Sequence, residues 1–173
     1  RRSSDLVLSY EELLIIGSLS VVHLNFKQDL FVERDDIKFQ NLNLVVGTSG
    51  SGKTTICTHY LLKKRDKGHP VLVLRDENIQ NSLNLDEAIE KELIRYSDQL
   101  VSGCGRKALE LCSLENPLII LIEDINRVNN TDQLIEKVLS WAQNERRIKI
   151  LCPIWYQKIS TLSLKQKEHL SKY

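Results

Sequence analysis

Residues 47–54 read Gly47-Thr48-Ser49-Gly50-Ser51-Gly52-Lys53-Thr54 and fit the pattern GxxxxGK[ST] at every fixed position. The stretch directly follows a short apolar run, Leu42–Val46, and directly precedes a helical segment, Lys53–Lys67, that stops at Gly68 with Pro70 beyond it. Strand, glycine-rich turn and helix is the context this pattern requires. Glycines let consecutive backbone N–H groups turn inward around phosphate oxygens, where side chains would obstruct them. The new helix adds its unpaired N–H groups and positive dipole end. Lys53 then reaches the β- and γ-phosphates, Thr54 offers a hydroxyl to Mg²⁺, and Thr55 reaches the α-phosphate. Gly47, Thr48, Ser49, Gly50, Ser51, Gly52, Lys53, Thr54 and Thr55 are therefore the expected nucleotide-binding residues, with ATP or ADP and Mg²⁺ as cofactors.

A phosphate loop needs an acid on a neighbouring strand. Leu118–Ile122 is apolar throughout and runs into Glu123-Asp124, which delivers two carboxylates where an open α/β sheet binds its ligand. Glu123, with Thr54, is the expected metal residue. Asp124 is the expected general base on an attacking water, with Lys53 beside it in catalysis. The usual order places Asp first; here Glu, one methylene longer, takes that place.

The rest of the chain alternates in the same way. Val71–Leu74, Leu118–Ile122 and Ile148–Cys152 read as buried strands, the last closed by Pro153. Asp86–Val101, 106–114 and Thr131–Gln143 read as helices, the last with Asn130 or Thr131 as its cap. A short helix over 10–16 follows Ser9 as N-cap, Ser20–Phe26 reads as a strand, and the polar tail from Ser163 reads as helical. End-to-end apolar strands between helices predict a three-layer α/β fold with a mostly parallel sheet. An acidic strand separated from the phosphate-loop strand by another strand predicts the ATPase (ASCE) branch of P-loop NTPases. No last core strand is evident, so the fold is expected to be incomplete at its C-terminal end. Residues 1–30 read as a lead-in, 31–160 as the core, and 161–173 as the start of a following segment, cut short.

Composition narrows the partners. With 42% hydrophobic and 27% charged residues, 173 residues suffice for one domain with a real core. A net charge of +1 gives no electrostatic reason to expect a nucleic-acid or membrane surface. No apolar run approaches the ~18 residues of a membrane span, and no secretory signal opens the chain. Cys57, Cys104, Cys112 and Cys152 show no metal spacing and read as reduced thiols. A cytoplasmic protein without a membrane partner is expected. The absence of Met predicts a fragment, a processed product or the ordered part of something longer. His23, His59, His69 and His169 show no partner pattern, Trp141 and Trp155 read as packing residues, and Lys63-Lys64-Arg65 as a solvated helix end.

The motifs exclude several classes. The nearest string to a guanine-reading NKxD, Asn129-Asn130-Thr131-Asp132, lacks the Lys; LSGGQ is absent; only Arg146-Arg147 hints at an Arg-rich lid. Glu123-Asp124-Ile125-Asn126-Arg127, then a helix, then Arg147–Trp155, resembles the STAND NTPases, the signalling ATPases that include NACHT and NB-ARC proteins, and most of all the bacterial antiviral Avs type. Phe31-Val32-Glu33-Arg34 resembles the short segment that touches the base in that family, with Glu33 where Gly is expected. The resemblance covers about Phe31 to Trp155. It implies a switch: ADP holds the closed state, and a trigger permits ATP exchange and oligomerisation with other copies of the chain. It implies Arg34 and Arg127 as further nucleotide contacts, a slow ATPase, and a trigger protein or nucleic acid read by regions not present here. Pro153-Ile154-Trp155 stands where the family carries a sensor Arg. A remodelling ATPase of the wider AAA type acting on nucleic acid or protein, and a weakly hydrolysing nucleotide-binding scaffold, are the alternatives.

Overall fold

The computed structural model describes residues 6–24, 41–47 and 53–172. Among the described residues five strands form one sheet: β1 (Leu42–Gly47), β2 (Val71–Arg75), β3 (Leu118–Glu123), β4 (Ile148–Trp155) and β5 (Leu170–Lys172), in the order β2-β3-β4-β1-β5. Every pairing is parallel. β4 stands between β1 and β3, so the expected inserted strand is present. This is a three-layer P-loop-type α/β fold of the ASCE order.

Side-chain alternation builds the layers, because successive strand residues point to opposite faces. Val45, Val73, Ile119, Leu121 and Leu151 face one side, against Cys57 and Leu61 of α2 (Lys53–Asp66). Leu44, Leu72, Ile120 and Ile150 face the other, against α4 (Leu85–Tyr96) and α6 (Thr131–Gln143), which contribute Ile89, Leu93, Leu134 and Val138. α3 (Asp76–Gln80) and α5 (Cys104–Glu110) fill the gaps beside α4. All four cysteines are buried thiols. Burial pushes Cys104 up to about 12, with the Glu90 charge adding to it, and Cys112 up to about 11.

Several expectations are corrected. Ser20–Phe26 does not begin a strand: α1 (Tyr10–Ser20) runs on through Ser20, and Val21–His23 form a turn. The Ser9 cap holds, its hydroxyl accepting from Glu12 N at 3.1 Å. α4 ends at Tyr96; Leu100 instead bridges Leu6, with Val101 N donating to Leu6 O at 3.0 Å. After Ser163 only Leu164–Lys167 (α7) is helical, and β5 then pairs with β1, so the strand missed in the sequence is there. Three residues with little apolar pattern leave no period to read.

β4 passes through Pro153 rather than stopping before it. Its ladder with β3 ends at Leu121↔Leu151, whereas its ladder with β1 continues through Val45↔Pro153 to Gly47↔Trp155. Pro153 O faces the β3 side, where Asn126 binds it, so the N–H that proline lacks would also have faced the side where β3 has already parted.

α1 guards the free edge of β2. Gly17 packs so closely that a Cβ there would lie 2.2 Å from Val71 O. One turn on, Ser20 Oγ accepts from Val73 N at 3.2 Å and donates to Gly17 O at 2.7 Å. A side-chain hydroxyl thus occupies an edge N–H that would otherwise invite another strand.

Candidate functional site at the C-terminal sheet edge

The C-terminal ends of β1, β3 and β4 lie along one sheet edge, because all the strands are parallel. Gly47 ends β1, and the backbone of Lys53, Thr54 and Thr55 forms the first turn of α2. Thr48, Ser49, Gly50, Ser51, Gly52 and Arg34 lie outside the described residues. Glu123 ends β3, two strands from β1, a separation of roughly 10 Å at ~4.8 Å per strand.

Asp124 is the turning point. It adopts φ 64° and ψ 9°, and among the described residues no other non-glycine residue has a positive φ. Left-handed backbone costs an L-residue roughly 1–2 kcal/mol, and Asp is one of the few types that visit it. The kink breaks β3 away from β4 and starts a 3₁₀ turn, Ile125–Arg127, closed by Arg127 N donating to Asp124 O at 3.0 Å. Thr131 Oγ1 lies 2.7 Å from Ile125 O and 2.9 Å from Val128 O, tying the turn to the start of α6. Asn130 is the cap position but makes no side-chain cap bond.

The gap left beside β4 is filled by one side chain. Asn126 Nδ2 donates to Pro153 O and Asn126 Oδ1 accepts from Trp155 N, both at 2.8 Å. These are the two groups that one residue of a parallel neighbour would bind, so the carboxamide stands in for the departed strand. It locks the acidic turn to the end of β4.

A cleft of about 220 Å³ opens there, lined by Leu24, Glu123, Asp124, Arg127, Pro153 and Trp155 among others. Glu123 is a quarter exposed and Asp124 about half, so both carboxylates face solvent-accessible space. Arg127 Nε lies 3.3 Å from Asp124 Oδ1, with its side chain 76% exposed. The structure thus gathers Glu123, Asp124 and Arg127 at one cleft and holds Arg127 on Asp124.

Sequence reasoning missed two participants. Asn126 was visible only as a polar residue in the acidic string. His23 Nε2 lies 2.6 Å from Glu123 Oε1, across a separation of 100 residues that no local pattern reveals.

No group of three or more His, Cys, Asp or Glu side chains among the described residues is arranged to hold a metal. One or two exposed carboxylates fit Mg²⁺ nonetheless, because it keeps several waters and takes its other ligands from phosphate oxygens.

No protein-family model matches the sequence, and no curated protein matches it either. Among solved structures the chain is similar to PCH-2 of C. elegans, at 17% identity and TM-score 0.40, covering 94% of this chain and 40% of that one. It is similar to Rhizobiales Trip13 at 12% identity and TM-score 0.41, covering 95% and 58%. Drosophila ORC bound to AT-rich DNA and Cdc6 matches at 17% identity and TM-score 0.38, covering 77% and 47%. The chain therefore spans about half the length of these structures or less to somewhat over half. Likeness this distant carries no functional argument; the fold rests on the strand order itself. No helix among the described residues is long and apolar enough to cross a membrane.

Proposed function

We propose that the chain is the Mg-ATP-binding, slowly hydrolysing core of a STAND-type signalling switch, with residues 31–160 as its nucleotide-binding part. One observation carries the nucleotide reading. The GxxxxGKT string starts at Gly47, the last residue of β1, and ends in the first turn of α2, while Glu123 ends β3 with Asp124 directly after it and β4 stands between β1 and β3. The reading is supported by the two flanks of the string and the acids meeting the sheet edge where parallel α/β folds bind ligands.

In this reading the backbone over Gly47–Gly52 and the first turn of α2 bind phosphate oxygens, and Lys53 neutralises charge on the β- and γ-phosphates. Thr54 and Glu123 would hold Mg²⁺, which when bound supplies charge neutralisation across the phosphate oxygens. Asp124 orients a water and accepts its proton. Arg127, released from Asp124, supplies positive charge near the γ-phosphate, and Arg34 contacts the base. Trp155, at the end of β4, walls the cleft in place of a sensor side chain. The antiviral switch role, with oligomerisation of further copies on ATP exchange, rests on the resemblance of the string Glu123–Arg127 and the segment 147–155.

Calorimetry with Mg-ATP tests the nucleotide reading. Lys53→Ala should weaken binding by at least about a hundredfold, about 2.8 kcal/mol at 1.4 kcal/mol per decade. Unchanged affinity would refute it. Sedimentation in ADP against a non-hydrolysable ATP analogue tests the switch: a nucleotide-independent mass would remove that part and leave the ATPase core.

A further inference from the structure

The turn after α1 reaches into the candidate site. Gly17 and Ser20 fix α1 on the edge of β2, and β2 pairs with β3 in the register Arg75↔Glu123. The four residues after α1 therefore arrive beside the end of β3, where Val21 packs in the core and Leu24 lines the cleft. His23, between them, places Nε2 2.6 Å from Glu123 Oε1. The imidazole is half exposed and the carboxylate a quarter exposed. Glu123 Oε2 has no partner among the described residues.

We propose that His23 is a positioning residue for Glu123: its Nε2–H holds Oε1, fixes the rotamer of the longer acid, and leaves Oε2 to take a hydrated divalent cation. This rests on the preceding reading that Glu123 serves Mg²⁺. Carboxylates that bind metals are themselves held by hydrogen bonds, and loss of such a partner typically costs about 10–100-fold in metal affinity. A bond that spends only one carboxylate oxygen orients the group without consuming it. It also couples α1, an element outside the phosphate loop, to the metal position.

The test is a Mg²⁺ titration of the full chain saturated with ADP, followed calorimetrically, with ADP binding in EDTA as reference. His23→Ala should weaken apparent Mg²⁺ affinity about tenfold and leave Mg²⁺-free ADP affinity unchanged. His23→Gln, which keeps an N–H donor, should restore most of the loss. In a Glu123→Gln background, His23→Ala should add nothing further. An unchanged Mg²⁺ affinity in His23→Ala overturns the assignment while the nucleotide reading stands. A raised affinity overturns it too, since the imidazole would then compete with the cation. A lowered melting midpoint with no rescue by His23→Gln assigns the contact to folding alone and also overturns it. ADP binding indifferent to Mg²⁺ in the unaltered chain removes the metal role of Glu123 and this inference together, whereas no ADP binding at all removes the preceding reading as well.

Discussion

Asp124 combines a strained backbone with an expected chemical role, and the two can be separated by choice of substitution. Asn tolerates left-handed backbone, so Asp124→Asn should keep the turn, the Asn126 bonds and Mg-ATP affinity while removing the proton acceptor. Turnover should fall about 10²-fold or more, the usual weight of a general base. Gly relieves the φ penalty, so Asp124→Gly should be equally inactive yet more stable by about 0.5–1 kcal/mol, read from urea unfolding. A Gly variant less stable than the parent would mean that the Asp124–Arg127 pair outweighs the strain. That pair is exposed, and exposed pairs contribute only ~0–1 kcal/mol.

At the scale of elements, the junctions rest on single groups. Glu92 of α4 is wholly buried, and its Oε1 accepts from Arg75 N at 3.0 Å, Arg75 Nε at 3.3 Å and Asn78 Nδ2 at 2.6 Å, joining α4 to the end of β2 and to α3. Gly17 joins α1 to β2 by absence of a side chain. Gly17→Ala drives a methyl into a backbone carbonyl that cannot move without moving the sheet edge, and should destabilise by about 1–3 kcal/mol in denaturant melts. A neutral or stabilising result, as helix propensity alone would give, would show that α1 does not press on β2. The loss should come with weaker protection of the Val73 amide against hydrogen exchange, since Ser20 covers it.

For the molecule as a whole, acid is the revealing perturbation. Arg147 hydrogen-bonds Glu145 through Nε at 2.7 Å and Nη2 at 2.9 Å at the turn into β4, and holds that carboxyl below its ordinary 4.5; a bond from the Leu83 backbone N–H does the same for Glu87. Depressed carboxyls contribute stability that is present above the unfolded value and lost as pH falls through the folded one. Global stability should therefore hold near neutrality and decline below about pH 4.5, with a shallower decline in Glu145→Gln. An identical acid slope in that variant would clear the pair of any part in it. Much of this architecture was legible in advance. The strand–GxxxxGKT–helix string, the apolar strands 71–74 and 118–122 with the acids after the second, and the helix 131–143 all signal through local periodicity and turn chemistry. So did the placing of Glu123 and Asp124 at one sheet edge, because a parallel sheet of this order leaves strand ends nowhere else. What the chain alone determined was the strands 71–74 and 118–122, the helix 131–143 and which strings are expected to carry phosphate and acid chemistry, since propensity and spacing act over a few neighbouring residues. Only the tertiary structure decided that Pro153 lies within β4, that Asn126 replaces a departed strand, that residues 170–172 close the sheet, and that His23 meets Glu123. Each depends on partners tens of residues apart, and a hydrogen bond across such a distance leaves no period in the sequence.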